Sequence, residues 1–109
     1  LVAESDSKVI AYASYAYFRK WEGFKITVEH SIYTDSNYRS QGAGKFLMRE
    51  IIAKAKENGF KNMIGGIDGS NYKSIKFHKK FGFIEAGRLE RVATKFDNHL
   101  DLVFMQLTF

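Results

Sequence analysis

The junction Arg39-Ser40-Gln41-Gly42-Ala43-Gly44-Lys45 lies between a strand-like segment and an amphipathic helix, and it constrains this chain more than any other stretch. A strand, a glycine-rich turn and a helix in succession call for an α/β arrangement. Glycines let the backbone approach a ligand closely, and the first turn of a helix carries N–H groups with no intrahelical acceptor. With Arg39 and Lys45 adding positive charge, the junction suits a phosphate or pyrophosphate. Two common phosphate motifs do not fit. A P-loop requires glycine where Arg39 stands and Ser or Thr where Phe46 stands. A dinucleotide fingerprint requires a third glycine where Leu47 stands.

The flanking segments read as alternating elements. Leu1-Val2-Ala3 and Val9 to Phe18 are strand-like, with a turn at Asp6-Ser7-Lys8. Arg19 to Phe24 is a loop, and Lys25 to Tyr33 is a strand rich in β-branched and aromatic residues. In that strand Ile26, Val28, His30 and Ile32 share one parity, and Thr27, Glu29, Ser31 and Tyr33 the other. Thr34 to Tyr38 is a polar turn. Phe46 to Asn58 has helical spacing, with Leu47, Ile51, Ile52 and Ala55 on one face and Gly59 as a stop. Asn62 to Ile67 is a short strand. Ser70 or Asn71 caps a second helix reaching about Phe81, and Gly82 ends it. Phe83 to Leu89 and Leu100 to Phe109 are the last strands. Helices occur only in the middle, so the expected architecture is α/β with a mixed sheet.

The 109 residues suffice for one domain and not two. With 45% hydrophobic and 16% aromatic residues the chain has the means to build a core. Cysteine is absent, which excludes disulfides and thiol nucleophiles within these residues. No apolar run approaches a membrane span of about 20 residues and no signal peptide is visible, so no membrane partner and a cytoplasmic location are expected. The net charge of +5 is spread along the chain, with Lys79-Lys80 the one short run, so a nucleic-acid stripe is not expected. Because Leu1 already reads as strand, material upstream is expected to be missing.

The pattern Arg39-x-x-Gly42-x-Gly44 between strand and helix resembles the acetyl-CoA motif of the GNAT superfamily of N-acetyltransferases. Asn71-x-x-Ser74-x-x-Phe77-His78-x-Lys80-x-Gly82-Phe83 resembles a second motif of that family, with histidine where the family has tyrosine. Thr27 to Tyr33, Lys95-Phe96 and Leu100 to Gln106 are similar to the phosphinothricin and methionine sulfoximine N-acetyltransferase subgroup. The likeness covers essentially the whole chain. It implies a single GNAT domain over residues 1–109: a mixed, mostly antiparallel sheet with flanking helices, lacking the family's N-terminal strand and helices.

The resemblance also implies roles. Acetyl-CoA would be the donor, with no metal. The backbone of Ile32, Tyr33 and Thr34 would pair with the pantetheine arm, Arg39, Ser40, Gln41, Gly42, Ala43, Gly44 and Lys45 would hold the pyrophosphate, and Asn71 would touch the cofactor further along. Glu29 would assist deprotonation of the acceptor amine, a task for which a general base is worth about 10²–10⁴-fold. Glu29, His30 and Ser31 would line the acceptor site together with Arg19, Lys20 and Trp21, where a guanidinium suits a carboxylate or phosphinate. His78 would protonate the departing thiolate, since imidazole carries a proton near neutral pH. The acceptor would be a small-molecule amine, an amino acid or its analogue, and the enzyme a homodimer.

Other readings stay open on the residues alone. Glu29 also suits a solvent-facing position and His30 a hydrogen-bonded core position, while His78 also suits packing against an apolar face. Arg19 to Trp21 suit a charged hairpin tip. Asp97-Asn98-His99 stand where the subgroup carries Gly-Arg-Trp, which leaves the acceptor undefined. A GNAT enzyme for another amine, such as a polyamine, an antibiotic or a protein N-terminus, is one competitor. A non-catalytic basic module stacking nucleic-acid bases on its six Tyr, ten Phe and single Trp is the other.

Overall fold

The structure, a computed structural model, describes residues 2–5, 8–18, 26–34 and 42–109, which cluster into two compact units divided after Met63. In the first unit, β1 (Val2–Ser5), β2 (Lys8–Tyr17) and β3 (Thr27–Thr34) form antiparallel ladders, β2 pairing with both neighbours. Tyr15 stands opposite His30 and Ala16 opposite Glu29, so alternation sorts the side chains onto two faces. Ala13, Val28 and His30 are buried on one face. Ser14, Ala16 and Ser31, on the other, are exposed.

Helix α1 (Ala43–Glu57) packs on β2 and β3 through Ala43, Leu47, Met48, Ile51 and Ala55, all buried. It begins three residues before Phe46, so Ala43, Gly44 and Lys45 belong to its first turn and not to the preceding loop. The reason is local. Gly42 takes the left-handed conformation (φ 79°), which bends the chain into the helix and leaves Ala43 free to start it. Met48, rather than Ile52, completes the buried stripe. Asn58 caps the end of α1 and Gly59 follows at φ 85°, the expected stop.

In the second unit, β4 (Asn62–Asp68), which begins just ahead of the division, lies beside β6 (Asn98–Thr108), and β6 pairs antiparallel with the edge strand β5 (Ile84–Lys95). Helix α2 (Tyr72–Lys80) joins β4 to β5, and Ile64, Ile67, Ile75, Phe83, Val103 and Met105 form this unit's core. The strands reach further than Leu89 and Leu100. Phe96 and Asp97 both adopt positive φ (51° and 63°), a two-residue hairpin turn that matches strand twist and pairs Lys95 with Asn98. A bulge interrupts β5: Leu89 pairs with Leu102 and Ala93 with Leu100, and Arg91 between them is left-handed at φ 52°.

Candidate active site

Strand β3 offers its polar residues on two sides. Glu29 is half-buried and Ser31 exposed on the face turned away from α1. His30 faces the helix side and is buried. The Glu29-His30-Ser31 run therefore does not converge: Glu29 and Ser31 can meet one ligand on one face, and His30 packs behind them. Along the same strand the backbone of Ile32, Tyr33 and Thr34 pairs with Ala13, Tyr12 and Ala11 of β2.

The start of α1 suits an anion. Gly42 makes no side-chain cap, the first turn holds no acidic residue, and Lys45 is exposed there. A Cβ placed on Gly42 would meet no atom of the described residues within 4 Å. Fifteen helical residues put the positive end of the macrodipole at this point. Arg19, Lys20, Trp21, Arg39, Ser40 and Gln41 lie outside the described residues.

In the second unit, Asn71 is the N-cap of α2: its side-chain oxygen accepts from the Ser74 N–H at 3.1 Å. With the oxygen engaged, its amide nitrogen is the group suited to donate to a ligand. Lys73, Lys76, Lys79 and Lys80 are exposed along α2, and its last turn is basic, which favours the negative end of the helix dipole. His78 is 5% exposed, its ring edge-on to Phe83 at 5.0 Å and to Phe77 at 5.8 Å. Its Nδ1 donates to the Ser74 carbonyl at 2.7 Å. Burial pushes the His78 pKa below the usual histidine value, and the Ser74 bond opposes this to a lesser degree. In the neutral ring the proton therefore sits on Nδ1, and Nε2 is the nitrogen that can take up a second one.

Sequence reasoning did not find two further features. A recess of about 440 Å³ on the α1 side of the first unit is lined by Tyr15, Ala16, Tyr17, Val28, Asn58 and Phe60. Its walls are tied by a 2.6 Å bond from Asn58 to the Tyr15 hydroxyl and by edge-on packing of Phe60 with Tyr15 and Tyr17. The second is an ion pair in the β5–β6 hairpin, Arg88 Nη1 to Asp101 Oδ2 at 2.7 Å. Arg88 and Asp101 are too far apart in sequence for spacing to betray them. Among the described residues no cluster of His, Cys, Asp and Glu could hold a metal ion, and no helix is long and apolar enough to cross a membrane.

Comparison with known proteins places this geometry. Residues 1–83 match the acetyltransferase (GNAT) family. An L-methionine sulfoximine/L-methionine sulfone acetyltransferase from Pseudomonas aeruginosa is 38% identical over 107 residues, covering 98% of this chain and 62% of the relative. Two solved structures superimpose with a TM-score of 0.94 over 99% of this chain. One is a ribosomal-protein-alanine N-acetyltransferase from Brucella melitensis, 44% identical and 67% covered. The other is a phosphinothricin acetyltransferase from Sinorhizobium meliloti in complex with acetyl-CoA, 34% identical and 59% covered. This chain belongs to the GNAT acetyltransferase family and has its fold. It spans about three fifths of the length of the curated relatives it matches.

Proposed function

We propose that these residues form the acetyl-CoA-binding and catalytic part of an N-acetyltransferase acting on the α-amine of a small amino acid or analogue, of the methionine sulfoximine or phosphinothricin type. The observation that carries this is the left-handed, uncapped Gly42 opening a 15-residue helix beside a strand that bears Glu29, in a member of the GNAT family. Acetyl-CoA, when bound, supplies an activated acetyl thioester. The amides of Gly42 to Lys45 and the Lys45 charge hold its pyrophosphate, with Arg39, Ser40 and Gln41 completing the loop. The backbone of Ile32 to Thr34 meets the amide-bearing arm as an added strand would, and Asn71 donates its amide nitrogen further along.

Glu29 takes a proton from the acceptor ammonium, since only the neutral amine attacks a thioester. Arg19, Lys20 and Trp21, with Ser31, contact the acceptor's acidic group, and His30 supports them from behind the strand. His78, held at Nδ1, has a bare Nε2 in its neutral form, which takes the proton shed by the attacking nitrogen and passes it to the departing thiolate. The 109 residues act as one domain. The enzyme works in the cytoplasm as a homodimer, a state favoured by the exposed apolar side chains of the edge strand β5.

The test is a panel of amines scored by release of free CoA thiol. Methionine sulfoximine, methionine sulfone and phosphinothricin are expected to be the preferred acceptors. Turnover confined to polyamines or aminoglycosides would overturn the choice of acceptor. A second reading, acetylation of a protein N-terminus, draws on the 44% identity to the ribosomal-protein-alanine enzyme. An alanine-starting peptide in the same panel separates the two.

A further inference from the structure

Asp101 ties together three pieces of the second unit. Its Oδ2 accepts from Arg88 Nη1 at 2.7 Å, and its Oδ1 accepts from the backbone N–H of Arg91, in the β5 bulge, at 2.9 Å. Its carbonyl accepts from the N–H of Gly69 at 3.0 Å. Gly69 follows β4 and is buried, and its backbone is not left-handed. What it provides is the absence of a side chain: a Cβ there would lie 2.5 Å from Arg88 Nη1 and 3.0 Å from Asp101 Cβ. The Arg88 guanidinium thus lies against the Gly69 backbone, held by the Asp101 carboxylate.

The turn beyond Gly69 is internally braced. Asp68 Oδ1 accepts from the Ser70 N–H at 2.9 Å and the Ser70 hydroxyl at 2.8 Å, and the Asp68 carbonyl accepts from the Asn71 N–H at 2.9 Å. Asn71 in turn caps α2 through Ser74. A displacement of Gly69 therefore carries Asn71 and the start of α2 with it.

We propose that Arg88 and Asp101 are positioning residues, a clamp across Gly69 that sets where Asn71 meets acetyl-CoA. This rests on the reading of Asn71 as a cofactor contact. An ion pair this exposed contributes little to stability by itself. Its fit to a side-chain-free backbone position, and the bulge built to reach it, are explained by placement of the turn.

The experiment measures the acetyl-CoA Kd by calorimetry, together with KM and kcat, in the full chain. Asp101→Asn and Arg88→Ala are each expected to raise Kd and the acetyl-CoA KM about tenfold, the effect of losing one hydrogen bond to the cofactor, with kcat and the acceptor KM little changed. Arg88→Lys is expected to restore part of the loss. Asn71→Ser keeps a capping oxygen and removes the amide nitrogen, and should weaken binding to a similar degree. The double variant Asp101→Asn/Asn71→Ser should bind no more weakly than either single one, because both lose the same contact. Additive losses, or clamp variants with an unchanged Kd beside a weakened Asn71→Ser, overturn the clamp and leave Asn71 standing. An unchanged Kd in Asn71→Ser overturns both. Should Asp101→Asn fail to fold, Arg88→Ala and its double variant with Asn71→Ser give the same reading.

Discussion

His78 is gripped at one nitrogen in an apolar setting, and that fixes the sign of its pH dependence. Burial lowers its pKa in the folded state, whereas in the unfolded chain it titrates near ~6.5. Between those two values the unfolded chain binds more protons, so stability falls as pH drops through and below ~6.5. Asp68 and Asp101 are held below the usual aspartate range, Asp68 chiefly by its bonds from Ser70 and Asp101 by those from Arg91 and Arg88. Their stabilising effect is lost only at much lower pH. Thermal melts between pH 7.5 and 5 should therefore show a falling Tm that flattens in His78→Gln. The same variant tests chemistry, since an unchanged kcat would remove the proton-donor role. Glu29 faces away from His30 and α1, so Glu29→Gln is expected to leave the melt intact and to lower kcat by about 10²–10⁴-fold at neutral pH.

At the scale of elements, legibility followed locality. The α1 stop at Gly59, an α2 cap at Ser70 or Asn71 and the split of β3 into two parities were readable because each depends on a few neighbouring residues; the structure selects Asn71. The early start of α1 was missed because Gly44 argued for loop, and the cap conformation of Gly42 overrode it. The hairpin was missed because Phe96 seldom adopts positive φ and gives no turn signal. That Glu29 and His30 part company follows from the pleat, but which side is buried depends on where α1 lies. Gly42 yields a prediction at this scale. Asparagine tolerates the left-handed conformation better than alanine, so Gly42→Asn should lower the Tm less than Gly42→Ala does, while weakening acetyl-CoA binding by placing a side chain at the helix start. Leu47 is fully buried, so Leu47→Ala should cost about 2–5 kcal/mol in denaturant melts.

For the whole molecule, the question is what meets β5. All 12 of its residues are exposed, and among them Ile84 (64%), Leu89 (47%) and Val92 (53%) are large and apolar, as is Phe96 (86%) in the turn that follows. Natural edge strands are usually guarded by charge, proline or shortness. Here the strand is long, and its charged residues are interspersed with apolar ones instead of replacing them. A second copy of the same strand would cover this surface by a symmetric contact, the commonest form of closed assembly. Sedimentation of the parent should therefore report a dimer, and Ile84→Lys with Leu89→Lys should shift it toward monomer while leaving the buried Val103 and Met105 of the neighbouring strand in place. Retained acetyl-CoA binding in that monomer would confine the interface to assembly, whereas loss of acceptor turnover with binding intact would mean that each copy completes its partner's acceptor pocket. A parent that sediments as monomer at all concentrations would remove the homodimer from the proposed function.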